Sequence, residues 1–359
     1  MVDELPDRAV KGRGAVSNRS GRFEGGGRVR IDDGWAPDEE DLPPLRTELL
    51  NDASRSIISR NDSPDIPFDQ SVNPYRGCEH GCIYCFARPT HAYLGLSPGL
   101  DFETKLFRKP DAPALLEKEL RAKGYVCKPI ALGANTDPYQ PVEREERLTR
   151  RILEVCRDFN QPVGVVTKSA LVTRDLDILA PMAAEGLASV AMSVTTLDRD
   201  LARVMEPRAS TPARRLAAIR ELADAGVPVA VLASPMIPAL NDHELESILE
   251  AAAAAGATSA NQILLRLPLE LAGLVEEWLR THVPDRADRV LSLVRQSRGG
   301  ELYRSGWGTR MKGTGPYAEM LRARFKLAVK RLGLNERRWE LDCTRFRPPP
   351  RAGDQMALF

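Results

Sequence analysis

A mixed α/β fold, an open and partial (β/α)6 barrel followed by a basic, mainly helical extension, is the architecture this 359-residue sequence predicts. Three observations point to it. Short apolar runs alternate with helical patterns from about Asn73 to Asp285, the rhythm of parallel strands joined by right-handed crossovers. The alternation gives about six strand–helix units, too few to close an eight-fold barrel. The rhythm then stops and the charge changes with it. Arg295–Arg351 carries fifteen Lys/Arg against five Asp/Glu, or +10, which leaves −9 for the rest of a chain of net charge +1.

Taken in order, residues 1–45 are rich in Gly, Arg, Asp and Pro, with few large apolar side chains. Such a segment buries too little surface to offset its ordering entropy, so it is expected to be largely disordered or draped over a core. A barrel is expected over residues 46–285. Its first strand is placed near Asn73–Arg76. Five more follow at Pro129–Leu132, Val163–Val166, Ser189–Met192, Val229–Leu232 and Ile263–Arg266. Helical patterns lie between them at Arg147–Asp158, Ala213–Ala225 and His243–Ala255, the last with Asn241 or Asp242 as its N-cap. Residues 286–347 form the basic extension, with one strong helix from Pro316 to Gly333. Residues 348–359 read as a flexible tail.

Composition excludes several classes. A hydrophobic fraction of 43% and a charged fraction of 28% are those of an ordinary globular protein. No basic region followed by an apolar run opens the chain, so no secretory signal is expected. No window approaches eighteen apolar residues, so no membrane span is expected and the protein is read as cytoplasmic. Six cysteines in a reducing compartment point to metal or redox work rather than disulfides.

Three of those cysteines lie within eight residues, Cys78-Glu79-His80-Gly81-Cys82-Ile83-Tyr84-Cys85. A tight loop can draw their thiolates to one point, with Gly77 and Gly81 supplying backbone freedom. Three thiolates on a four-iron cubane leave one iron open to a ligand. A closed zinc site needs a fourth ligand. Cys127, Cys156 and Cys343 are isolated, so it would have to recruit His80 or His91.

The spacing Cys-x3-Cys-x2-Cys, with Tyr84 before the third cysteine, resembles the signature of the radical S-adenosylmethionine (SAM) superfamily. The wider run Asn73-Pro74-Tyr75-Arg76-Gly77, with Phe86-Ala87-Arg88-Pro89-Thr90-His91 beyond the loop, resembles a narrower bacterial group related to spore photoproduct lyase. The resemblance extends from the Gly12–Glu24 segment to about residue 347. It implies a partial radical SAM barrel, with Cys78, Cys82 and Cys85 holding a [4Fe–4S] cluster. It further implies SAM on the open iron, cleaved to a 5′-deoxyadenosyl radical by an electron from a donor of the flavodoxin or ferredoxin type.

SAM is then expected across the carboxyl ends of the strands. Beside Tyr84, the candidates there are Asn135, Thr136 and Asp137 for the methionyl ammonium, and Lys168 or Arg208 for the carboxylate. Ser193 and Thr195 are placed near the ribose, and the backbone at Met236 beside the adenine. Spore photoproduct lyase uses a cysteine after the second strand as hydrogen donor. The counterpart here is Ala134, which argues against thymine-dimer reversal by that route. Cys343 is kept as a weak donor candidate.

In the basic extension, Tyr303, Trp307, Tyr317, Phe325, Trp339 and Phe346 are interleaved with Arg and Lys. Phosphate pairing and base stacking would make DNA or RNA the substrate. The terminal Gln355-Met356-Ala357-Leu358-Phe359 resembles peptides that dock on the bacterial sliding clamp, with Gln355, Leu358 and Phe359 as anchors. The leading expectation is a radical SAM enzyme acting on a nucleic-acid base in repair or modification. The same chemistry on a protein or small molecule, and a non-catalytic zinc-stabilised nucleic-acid-binding module, are the alternatives.

Overall fold

The structure, a computed structural model, describes residues 3–5, 7–28, 30–32, 45–337 and 340–350. Its main sheet has seven strands: β1 (Ile58–Arg60), β2 (Gln70–Val72), β3 (Ile130–Leu132), β4 (Val163–Thr167), β5 (Ala188–Ser193), β6 (Val229–Met236) and β7 (Ser259–Leu264). They lie in sequence order across the sheet. β2 to β7 are parallel and β1 is antiparallel at the edge. Six parallel strands in an open sheet are the partial barrel that the sequence predicts.

The strands alternate. In β4, Val163, Val165 and Thr167 are buried while Gly164 and Val166 are half-buried, and β5 and β6 repeat the pattern. The buried set packs under the crossover helices α1 (Ala112–Leu120), α2 (Leu148–Asp158), α3 (Leu176–Ala184), α4 (Pro212–Asp224) and α5 (Leu245–Ala254). In α5 the buried residues Leu245, Ile248, Leu249 and Ala252 fall on one helical stripe. Each large aliphatic buried there contributes roughly 1.5–3 kcal/mol. The opposite face of the sheet carries small residues, among them Ala131, Gly164, Ser189, Ala191 and Ala230. These line a hollow of about 1070 Å³ that also reaches Pro129 and Pro228, at the amino ends of their strands.

Two strands lie elsewhere than the sequence suggests. The first parallel strand is Gln70–Val72, whose fully buried Gln70 and buried Ser71 disguise it in an apolar search. Tyr75–Arg76 instead pairs antiparallel with Phe107 and Arg108, in a small sheet with Glu48–Asn51. The last strand begins at Ser259, four residues before the apolar run Ile263–Arg266. Its exposed Asn261 and its half-buried Ser259 and Gln262 mark an edge strand, and edge strands tolerate polar side chains. Asn241 does not cap α5. Its carboxamide accepts from Ile237 N–H and donates to the Thr195 and Pro235 carbonyls.

Beyond β7 come α6 (Leu271–His282), α7 (Pro284–Gln296) and α8 (Gly315–Arg331). α7 runs across the 285/286 boundary expected between barrel and extension. The basic residues of the extension meet acids of the barrel: Arg324 reaches Glu246 and Arg310 reaches Asp65, both at 2.6 Å, and Arg331 and Arg345 pair with Glu250 and Glu185. Part of the +10/−9 asymmetry is thus matched within the molecule. Among the described residues no helix is long and apolar enough to cross a membrane.

Candidate active site

The cysteine loop leaves β2 and is braced at the carboxyl ends of β3, β4 and β5. Cys78 N–H donates to Phe102 O at 3.0 Å, and Ile83 N–H to Met205 O at 3.0 Å. Gln140, which follows β3, accepts from Glu79 N–H at 2.9 Å and donates to Gly77 O at 3.3 Å. Gly77 and Gly81 have φ of 75° and 66°. A Cβ at Gly81 would stand 2.6 Å from Glu103 Oε2, so the tightness of the loop requires glycine there.

Beneath the loop lies a fully buried ion pair, Arg88 with Glu103, at 2.5 Å. Arg88 also donates to the carbonyls of Gly81 and Cys82, each at 2.8 Å, and to those of Pro98 and Gly99. Glu103 in turn accepts from Gly14 and Ala15 N–H at 2.9 and 2.8 Å. Residues 13–17 are buried, so draping, not disorder, holds for this part of the N-terminal segment.

Cys78 and Cys82 are 6% and 7% exposed, and Cys85 is half-buried. Burial raises the Cys78 thiol well above its ordinary range, with Asp137, Cys82 and Cys85 adding to the effect. Burial also raises Cys82, which the Lys168 ammonium opposes. Among the described residues, no three or more His, Cys, Asp or Glu side chains, the three thiols included, converge on a point as a closed single-metal site such as zinc requires. Three thiols within eight residues of one braced loop, with the Lys168 ammonium beside Tyr84 of that loop, are a donor set that suits a [4Fe–4S] cluster with SAM.

The predicted SAM contacts divide into free and committed groups. Lys168 points to the loop, its Nζ 5.7 Å from the Tyr84 ring centroid and without a carboxylate partner among the described residues. Asn135 is exposed, and only its backbone N–H is tied, to Asn73 Oδ1 at 2.9 Å. Asp137 is taken up by the protein: its carboxylate accepts from Tyr139 N–H, Thr167 Oγ1 and Lys168 N–H at 2.9, 2.7 and 2.7 Å. Its pKa falls to about 2; burial works against this, and the nearby His80 together with the Thr167 hydroxyl and Lys168 N–H donors outweighs it. Thr136 Oγ1 donates to Tyr75 O at 2.8 Å. Arg208 pairs with Glu79 at 3.1 Å.

Ser193 Oγ and Thr195 Oγ1 both donate to Ser234 O at 3.2 Å. Thr195 also bonds Glu206 Oε1 at 2.7 Å, within a buried network of Tyr84, Glu206 and Arg215. Met236 is fully buried and its carbonyl accepts from Leu265 N–H at 3.0 Å. Cys343 is not at this site. Asp342 N–H donates to Gly186 O, ahead of β5, and Cys127, ahead of β3, lies beside Cys343. The thiol thus sits at the amino edge of the sheet, which removes it as a hydrogen donor. Gln355, Leu358, Phe359 and Trp339 lie outside the described residues.

Sequence reasoning missed the pairs Arg88–Glu103, Arg215–Glu206 and His80–Asp137. Arg88 stood within a run already singled out, and Glu206 lies two residues before the candidate Arg208. The partners Glu103 and Arg215 fall in helices and carry no local signal.

An open parallel α/β barrel with a three-thiol loop at its carboxyl edge defines a class of iron–sulfur enzymes. The Radical SAM superfamily model matches residues 72–252, and the chain belongs to that superfamily. An uncharacterised protein of Mycobacterium tuberculosis is 39% identical over 233 residues, 64% of this chain and 68% of that one. An uncharacterised protein of Methanocaldococcus jannaschii is 28% identical over 200 residues, 55% and 71% of the two. The fold is similar to that of spore photoproduct lyase complexed with dinucleoside spore photoproduct, with a TM-score of 0.56 and 16% identity over 80% of both chains. The protein is therefore a radical SAM enzyme, its cofactors are a [4Fe–4S] cluster and SAM, and it requires a reductant.

Proposed function

We propose that this enzyme directs radical chemistry at a nucleic-acid base, with Cys78, Cys82 and Cys85 as the cluster ligands. When bound, the cluster and SAM supply the reducing electron and the radical that abstracts hydrogen. The chain's own residues position and shield. Lys168 offers its ammonium to the SAM carboxylate, and Asn135 its free carboxamide to the methionyl ammonium. Asp137 and Thr195 act through others: Asp137 fixes the end of β4 and His80, and Thr195 fixes the Tyr84 hydroxyl.

The observation that carries the nucleic-acid reading is aromatic. Phe86, which follows Cys85, is 43% exposed, and Tyr93 and Phe23 are 70% and 60% exposed. The rings of Phe23 and Tyr93 lie 5.2 Å apart with Arg22 over both, at 4.7 and 4.9 Å. Exposed rings backed by guanidinium suit unstacked bases. The likeness to spore photoproduct lyase supports the same reading. The basic extension supports it less, since Tyr317 is bonded to Asp242 and Phe346 packs on Tyr125 and Phe159. The test is anaerobic incubation with SAM, reductant and DNA or RNA, following 5′-deoxyadenosine. Stimulation by one nucleic acid supports the reading, and equal yields with and without either oppose it.

A further inference from the structure

At the carboxyl end of β7, the Arg266 guanidinium has those of Arg298 and Arg310 as neighbours and one carboxylate, Asp65, nearby. Arg310 Nε takes that carboxylate at 2.6 Å. Arg298, 2% exposed, is spent on the carbonyls of Leu264, Leu265, Thr309 and Arg310. Arg266 has no carboxylate partner among the described residues. Its Nη1 donates to the Met311 thioether at 2.9 Å, a weak acceptor, and its Nε has no partner. Burial draws its pKa below the ordinary arginine value; Arg310 adds to this, while Tyr303, bonded to it, and the nearby Asp65 carboxylate oppose it. A half-buried cation whose neighbouring carboxylate is taken by another arginine is costly unless a ligand adds charge.

The position of Arg266 gives that cost a use. Its guanidinium lies 5.1 Å from the centroid of the Phe86 ring, one residue beyond Cys85. Two further buried acceptors on neighbouring strands, Ser234 Oγ and Gln262 Oε1, have no partner either. Ser234 follows Ala233, which is paired with Gln262 where β6 and β7 shift register. Unsatisfied polar groups thus lie on β6 and on β7, the strand whose carboxyl end leads to Arg266. The carboxylate of SAM has Lys168, nearer the loop, so Arg266 is left for a different anion.

We propose that Arg266, flanked by Phe86 and Tyr303, binds a phosphate group of the substrate and sets the adjoining base beside the Phe86 ring. The guanidinium fork matches phosphate oxygens bidentately. This inference rests on the nucleic-acid reading above and adds to it a defined contact.

The test uses the anaerobically purified, cluster-bearing protein and four probes: pyrophosphate, thymidine, thymidine 5′-monophosphate and a short single-stranded oligonucleotide. Calorimetry should show the monophosphate binding tighter than thymidine by about tenfold or more. Arg266→Gln should abolish that difference and Arg266→Lys should keep part of it, with cluster absorbance and SAM affinity unchanged in both. Equal discrimination by wild type and Arg266→Gln, or none in wild type, overturns the inference. Arg266-dependent pyrophosphate binding without nucleotide or oligonucleotide binding upholds the phosphate site and sinks the nucleic-acid reading. Oligonucleotide binding that Arg266→Gln leaves intact does the reverse.

Discussion

His80 Nδ1 lies 3.3 Å from Asp137 Oδ2, a contact that ties the middle of the three-cysteine loop to the carboxyl ends of β3 and β4. The approach lacks hydrogen-bond alignment, and His80 Nδ1 has no other partner. Asp137 is therefore a joint between elements, with its remaining acceptor positions filled by backbone and Thr167.

Removing that joint should loosen the loop. Asp137→Ala leaves Lys168 N–H, Thr167 Oγ1 and Tyr139 N–H without their acceptor, and one lost buried bond of this kind costs about 1–3 kcal/mol. Urea denaturation should show a loss of at least that size. Iron per chain after anaerobic reconstitution should fall although all three cysteines remain. Unchanged iron would mean that the cysteine loop keeps its shape without the Asp137 contact.

The sequence made the fold legible where burial is written in apolar runs. β3 to β6 and the helices α2, α4 and α5 fall within a residue or two of expectation at most ends, β6 alone running on to Met236. It hid β2, built on buried Gln70 and Ser71, and blurred β7, an edge strand with polar residues. The thiol triplet was legible because its ligands are adjacent in the chain. The supports were not, because Arg88–Glu103 and Arg215–Glu206 join residues whose pairing only the fold decides. Cys343 was misplaced for the same reason: a single thiol carries no local sign of which sheet edge it will occupy.

The Arg88–Glu103 pair should behave as a buried ion pair. Each partner is fully buried, so Arg88→Met alone leaves a carboxylate without its cation and should cost about 3–5 kcal/mol. Arg88→Met with Glu103→Leu should recover part of this, although Gly14 and Ala15 N–H lose their acceptor. A double-mutant cycle by denaturation measures the coupling, and additive losses would refute it.

Five of the six cysteines should separate by sheet edge. Cys78→Ala, Cys82→Ala and Cys85→Ala should each abolish the iron–sulfur absorbance of the reconstituted protein. Cys127→Ala and Cys343→Ala should retain it, because that pair lies at the amino edge. Loss of absorbance in either of the last two would require a thiol ligand drawn from the far side of the barrel.

Thiol reactivity should also depend on pH. Burial pushes the Cys127 thiol up to about 12, with Cys343 beside it adding to the effect. The thiolate is the nucleophile, so at pH 8 alkylation of Cys127 in the folded protein should be slower than in urea by tenfold or more, on the order expected for such a shift. The sign for stability follows. A thiol whose pKa is raised by folding favours the folded state below about pH 9 and loses that contribution as pH rises towards 12. Mass spectrometry after a timed iodoacetamide pulse reads the rate, and equal rates folded and unfolded would contradict the burial of this thiol.

Lys168 should matter to SAM and not to the cluster. Its N–H is fixed by Asp137 Oδ2 at 2.7 Å, and its Nζ stands over the Tyr84 ring at 5.7 Å without a carboxylate partner among the described residues. An ammonium beside the thiol loop without a carboxylate partner contributes most when a carboxylate arrives, and a hydrogen bond to a charged group is worth roughly 1.5–3 kcal/mol. Lys168→Met should therefore weaken SAM binding about ten- to a hundredfold in equilibrium dialysis, while iron content and cluster absorbance stay at the wild-type level. Lys168→Arg should restore part of the affinity, since it keeps the charge. Wild-type SAM affinity in Lys168→Met would shift the carboxylate to Arg208, which would have to leave Glu79 to receive it.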